Sequence, residues 1–256
     1  MRILRVGFAI LQLSLLLAAA ERPPVAIVML GDSTTLSRDC AQGSKLTDFV
    51  QSRLDEWAVQ CDRQVRVVNA GKGGDTAVGA LERLEREVLS HHPDIVTISL
   101  GLNDTGKLSP EQFRTALEEI IRTIRQKSAA SILLVTSTPF VNEQHSWGKD
   151  FASKGGLDEY MDGKICSQMR TLAGELRLTL CDLHEKFAAE FGLHHGLAPN
   201  IIRPDGVHLS EAGNRLAAEF LAPAIISLIA EREKQAPSIH DASSKPFTLS
   251  RGGNVP

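Results

Sequence analysis

The sequence predicts a doubly wound α/β domain, a five-stranded parallel sheet between two helical layers. Short apolar runs alternate with stretches of helical periodicity over most of the chain. The runs are continuous rather than alternating, as expected of strands covered on both faces. Several of them end in glycine, asparagine or aspartate, the residue types of tight strand exits.

Residues 25–30 are the first such run; they end at Gly31 and leave Asp32 and Ser33 in the exit loop. Over residues 45–58, Leu46, Phe49, Val50, Leu54 and Trp57 recur at three- and four-residue intervals, an amphipathic helix that packs on the sheet. The second strand, 65–69, runs into Ala70-Gly71-Lys72-Gly73-Gly74, where glycine lets the backbone turn sharply and approach a ligand. A helix follows over about 76–89. The third strand, 94–100, exits through Gly101-Leu102-Asn103-Asp104.

Ser109-Pro110-Glu111-Gln112 is a helix start with a serine cap, proline in the first turn and a glutamine that reaches back. Phe113, Leu117, Ile120, Ile121 and Ile124 mark the buried face of that helix. Residues 131–135 are the fourth strand. A polar insertion, 142–156, and a further helix precede a short fifth strand over 179–183, and the insertion is placed to shape a substrate cleft. The last helix begins near Ser210 with Ala212, Leu216, Phe220 and Ile225 at helical spacing, so Asp205-Gly206-Val207-His208 occupies the loop before it.

With 256 residues, 43% apolar and 23% charged, the chain is globular and long enough for one buried core. Arg2 and Arg5, an apolar stretch over 6–17 and Ala18-Ala19-Ala20 match a secretory signal peptide with cleavage after Ala20. The stretch is shorter than the roughly 20 residues of a spanning helix, so no stable membrane insertion is expected after cleavage. A secreted or periplasmic location follows, with a domain over 21–233 and a disordered tail over 234–256, rich in Ser, Gly and Pro. Loss of Arg2 and Arg5 takes the formal charge from −3 to −5, which gives no electrostatic case for a nucleic-acid partner.

Cys40, Cys61, Cys166 and Cys181 allow three disulfide pairings in an oxidising compartment. A Cys40–Cys61 bridge is disfavoured, because an intervening helix of some fourteen residues separates the two by roughly 20 Å at 1.5 Å per residue. Free thiols are expected. The His91-His92 and His194-His195 pairs lack metal-site spacing and read as solvated loop histidines; no metal is expected.

The chemistry lies at the strand exits. A serine hydroxyl becomes a useful nucleophile when an imidazole accepts its proton and a carboxylate fixes the imidazole tautomer. Ser33, His208 and Asp205 supply one candidate for each role. Ser33, Gly71 and Asn103 lie on the exits of the first three strands, the edge at which such sheets bind ligands. Asp32 and Asp104, beside them, read as structural carboxylates that accept backbone N–H bonds.

Gly-Asp-Ser-Thr at 31–34, Asn-Ala-Gly at 69–71, Gly-Leu-Asn-Asp at 101–104 and Asp-Gly-Val-His at 205–208 stand in one order. Through these four blocks the chain resembles the SGNH, or GDSL-type, hydrolase family over roughly residues 25–230. The resemblance implies a flavodoxin-like three-layer α/β/α fold with strand order 2-1-3-4-5. It also implies Ser33 as nucleophile, His208 as base and then acid, and Asp205 as its orienting partner. The oxyanion donors would be the Ser33 and Gly71 N–H groups and the Asn103 amide.

The expected reaction is acyl transfer to water through an acyl-Ser33 intermediate, with no cofactor. Secretion and only 5% aromatic content favour a small acyl group, so a small-molecule or polysaccharide ester, first of all a carbohydrate acetate, is the expected substrate. Lysophospholipase, thioesterase and acyltransferase activities remain alternatives within the family, as does a non-catalytic glycan- or lipid-binding protein on the same fold.

Overall fold

Five parallel strands in the order β2-β1-β3-β4-β5 form the central sheet: β1 Val25–Gly31, β2 Val65–Gly71, β3 Ile95–Ser99, β4 Ser131–Val135 and β5 Thr179–Cys181. This is the doubly wound, flavodoxin-like order that the resemblance implies. The structure is a computed structural model that describes residues 23–191 and 201–235. The expected signal peptide, His194 and His195, and residues 236–256 of the expected tail lie outside the described residues.

Period-two alternation divides the strand side chains between the two layers. Val28 and Leu30 of β1, Val96 and Ile98 of β3, and Ile132 and Leu134 of β4 face one layer. Helices α3 (Ala77–Glu87) and α5 (Pro110–Lys127) cover that side with Leu84, Phe113, Leu117, Ile120 and Ile124. Ile27, Met29, Ile95, Leu133 and Val135 face the other, against α2 (Leu46–Gln60) and the C-terminal helix α10 (Glu211–Gln235). The continuous apolar runs arise because both faces are dry.

Among the described residues, four four-residue helices flank the site: α1 (Ser33–Leu36) and α4 (Asp104–Lys107) at strand exits, α6 (Gly148–Phe151) and α7 (Leu157–Tyr160) in and after the insertion. A π-helical turn, Met161–Cys166, leads into α8 (Ser167–Leu176), and α9 (Leu183–Phe191) follows β5.

Three local expectations need correction. The fifth strand stops at Cys181, because the Asp182 carboxylate accepts the Glu185 N–H at 3.1 Å and the Thr136 hydroxyl at 2.8 Å and so starts α9 one residue later. On α10, Ala212 is exposed and Leu216 and Phe220 only half-buried. The buried stripe is instead Gly213, Asn214, Ala217, Ala218, Leu221 and Ile225, since small residues allow the helix to lie close to its neighbours. That helix also continues through Lys234 and Gln235, past the expected domain end. All four cysteines are free, and burial pushes the Cys166 thiol up to about 12, which makes it an inert core filler.

The parallel register brings the carboxyl ends of the strands together: Gly31 pairs with Gly71 of β2 and with Ser99 of β3. The chain leaves β1 toward β2 on one side and returns to β3 on the other. The exits of β1 and β3 therefore flank the switch point, where such sheets open a crevice.

Candidate active site

Ser33 is the first residue of α1, directly after β1. The preceding Asp32 caps the helix: its Oδ1 accepts the Thr34 N–H and the Thr34 hydroxyl, both at 2.9 Å. Ser33 is 5% exposed, so its hydroxyl stands in a largely dry setting.

Its partner arrives from the loop before α10. His208 Nε2 lies 2.9 Å from Ser33 Oγ, and His208 Nδ1 lies 2.9 Å from Asp205 Oδ2. A carboxylate only accepts, so the imidazole proton sits on Nδ1 and Nε2 is left to accept from the serine hydroxyl. The same Asp205 accepts the N–H groups of Val207 at 3.0 Å and His208 at 2.9 Å through Oδ1. Burial acts upward on Asp205, but the His208 N–H and ring and the Val207 N–H outweigh it and hold the carboxyl below its usual range.

Several bonds fix that loop over α1. The Arg203 N–H donates to His208 O at 2.8 Å, the Arg203 guanidinium donates to Arg38 O at 3.0 Å, and the Val141 N–H donates to Gly206 O at 2.8 Å. Gly206 has φ +76, and a Cβ there would stand 2.8 Å from the His145 nitrogen, so glycine is required between Asp205 and His208.

On the opposite side, Asn103 is 8% exposed and its Nδ2 has no hydrogen-bond partner. A buried donor without an acceptor costs about 1–3 kcal/mol unless a ligand completes it. Asp104 holds the exit that carries it, accepting the Ala77 N–H at 2.8 Å and the Gly101 N–H at 3.0 Å. Asp32 and Asp104 are thus built into the strand exits, as the sequence suggests. Burial pushes each up to about 6; backbone bonds, from Thr34 to Asp32 and from Ala77 to Asp104, pull the other way.

Gly71 departs from its expected role. Its N–H donates to Asn69 Oδ1 at 2.9 Å, so that donor is already used within β2. The residue is glycine for another reason: a Cβ would stand 2.2 Å from the Leu36 nitrogen, where α1 crosses the strand end. Three residues on, Gly74 has φ +74, and neither its N–H nor that of Ser33 has an acceptor among the described residues. The Lys107 ammonium holds Gly74 O at 2.8 Å and ties this loop to α4. Three glycines within 71–74 look alike in sequence; only the hydrogen-bond accounting separates them.

Beneath the exits lies a buried ion pair that sequence inspection overlooks. Arg83, 2% exposed, meets Asp75 at 2.7 Å and also donates to Ala70 O at 2.9 Å and Gly31 O at 3.1 Å. One guanidinium thus clamps the carboxyl ends of β1 and β2, just ahead of Ser33. An arginine set within an otherwise apolar helix face, between Ala80 and Leu84, is the sequence signal for it.

The 142–156 insertion reaches the site through His145 and Trp147. The His145 ring packs against Phe140 and, edge-on, against Trp147, with centroids 5.0 Å away in each case. Burial lowers its pKa, with Asp205 acting upward and His208 downward. The far end of this region is anchored on the buried His184, whose Nε2 lies 3.2 Å from Asp158 and Nδ1 3.3 Å from the partly exposed Asp162.

The chain is similar to several known proteins. Residues 29–216 match the model of the GDSL-like lipase/acylhydrolase family. Esterase TesA of Pseudomonas aeruginosa is 31% identical over 130 residues, 50% of this chain and 62% of that protein, so the match spans less than two thirds of the relative. An acetylxylan esterase of Geobacillus stearothermophilus is 27% identical over 215 residues, 75% of this chain and 90% of that protein. The crystal structure of a lipase/acylhydrolase from Enterococcus faecalis superposes with a TM-score of 0.60 at 24% identity, over 78% of this chain and 95% of that one. The chain therefore belongs to the GDSL-like lipase/acylhydrolase family.

Proposed function

We propose that the protein is an exported serine ester hydrolase that removes small acyl groups, acetyl first, from carbohydrate. The carrying observation is the linear relay from Ser33 Oγ through His208 to Asp205, with 2.9 Å at each step. Ser33 Oγ attacks the ester carbonyl while its proton passes to His208 Nε2; the collapsing intermediate expels the alcohol, which takes that proton. Water then repeats the sequence on the acyl-Ser33 ester and releases the acid.

The negative oxygen of each tetrahedral intermediate is held by the Asn103 amide, the Ser33 N–H and, in place of Gly71, the Gly74 N–H. These are the donors without acceptors, the state expected of groups waiting for a charge that forms only during reaction. Asp205 and His208 close the circuit from the other side.

Acetyl over longer acyl chains is supported by the similarity to the acetylxylan esterase. Export is supported by the charged, apolar and small-residue order of residues 1–20. The test compares 4-nitrophenyl acetate with 4-nitrophenyl octanoate and measures acetate release from acetylated xylo-oligosaccharides. Preference for acetate and release from the glycan supports this reading; faster turnover of octanoate with no release from the glycan favours a lysophospholipase or thioesterase.

A further inference from the structure

We propose that the 142–156 insertion carries a subsite for the sugar of the leaving group, with His145 Nε2–H as its hydrogen-bond donor. The inference rests on the carbohydrate reading above and identifies where that carbohydrate binds.

His145 stands between the acid/base loop and an open cavity. Its backbone nitrogen borders Gly206, between Asp205 and His208, and its ring is near enough to both to interact with their charges. On the outer side, a cavity of about 570 Å³ is lined by His145 with Asn142, Gln144, Ser146 and Lys149. Amide, hydroxyl, carboxylate and ammonium groups in that lining can pair with sugar hydroxyls, and its larger apolar share, with Ala152 among it, can pack against the faces of the rings.

The tautomer of His145 is set by its neighbours. Its Nδ1 accepts the Trp147 N–H at 3.2 Å, so in the neutral ring the proton is on Nε2, and Nε2 has no acceptor among the described residues. Phe140 and Trp147 clamp the ring on two sides. Trp147 is itself seated against Gly106 of α4, where an added Cβ would stand 2.8 Å from Cζ3. Trp147 is thus a positioning residue that spans from the Asn103 exit to His145. A donor held this rigidly, beside Asp205 and His208 and at the mouth of the cavity, is placed to bind a hydroxyl of the sugar whose ester is cut, with neighbouring sugars in the cavity.

Three variants test it: His145→Ala, His145→Gln, which keeps an N–H donor, and Gln144→Ala on the cavity wall. The readout is kcat/KM on an acetylated xylo-oligosaccharide divided by kcat/KM on 4-nitrophenyl acetate, together with calorimetric binding of the deacetylated oligosaccharide to Ser33→Ala with and without the His145 change. We expect His145→Ala to lower the ratio about tenfold, mainly through KM, and to weaken the calorimetric affinity by a similar factor. His145→Gln should recover most of the loss, and Gln144→Ala should lower the ratio about threefold. Equal losses on both substrates, or no change in the ratio or affinity, would overturn the subsite while leaving the carbohydrate reading intact. A wild-type protein that cleaves 4-nitrophenyl acetate but releases no acetate from the oligosaccharide would overturn the carbohydrate reading itself, and the subsite with it.

Discussion

His208 Nε2 lies 2.9 Å from Ser33 Oγ although 175 positions separate the two residues in sequence. The contact exists because β1 ends where α1 begins, and because the Arg203–Arg38 and Val141–Gly206 bonds hold the loop before α10 over that point. Ser33 is thus held by the end of the sheet and His208 by a docked loop.

Asn103→Ala should lower kcat about 10²- to 10³-fold, equivalent to about 2.7–4 kcal/mol, with little change in KM. The reason is that the amide stands unpartnered in the resting protein and, on the proposed mechanism, gains its acceptor only in the tetrahedral intermediate. Steady-state kinetics on 4-nitrophenyl acetate checks this; a loss confined to KM would remove Asn103 from the oxyanion site.

Gly71→Ala is expected to act on stability. The new Cβ would meet the Leu36 nitrogen at 2.2 Å, so β2 and α1 must separate, at about 1–3 kcal/mol. Chemical denaturation should show the loss. A fully stable Gly71→Ala protein with strongly reduced kcat would instead restore a catalytic part to this glycine.

The sheet and the four chemical blocks are legible in the sequence because continuous apolar runs and their polar exits are local patterns. Ser33, Asn103 and the Asp205/His208 pair could be named in this way, since each is the polar residue at a strand or loop end. What remained hidden depends on partners far along the chain. Gly71 and Gly74 are distinguished only by the Asn69 side chain and by α1; the Arg83–Asp75 clamp requires knowing which way α3 faces; and Ala212 is exposed because α10 approaches its neighbours through Gly213 and Ala217. The His145–Trp147 clamp forms inside an insertion with no periodicity to read.

The raised pKa of Asp104 has a sign that can be measured. Its folded value of about 6 exceeds the usual 3.8, so the folded state binds the proton more tightly, and the resulting stability is full below 3.8 and is lost as the pH rises through about 6. Asp104→Asn never ionises and lacks this loss, which is on the order of 2–3 kcal/mol for the wild type. The stability deficit of the variant should therefore shrink between pH 4 and pH 7, as read by urea denaturation at a series of pH values. A constant deficit would contradict the assignment.

His184 should anchor the insertion more firmly at lower pH. Burial acts to lower its pKa, but Asp158 and Asp162 outweigh that, with Arg170 opposing, and the value lies above the usual 6.5. Stability from the protonated ring is full below 6.5 and is lost as the pH rises through the higher folded value. Hydrogen exchange across residues 142–166, corrected for intrinsic rates, should accelerate over that window in the wild type and show no such step in His184→Gln.

The most direct test of the central claim, that Ser33 is activated by His208, is covalent labelling with a fluorophosphonate followed by peptide mass spectrometry. The expected result is a single adduct on the peptide containing Ser33, absent in Ser33→Ala and slowed by several orders of magnitude in His208→Ala. A wild-type protein that takes up no label, or a Ser33→Ala protein that is labelled as well as the wild type, would contradict it.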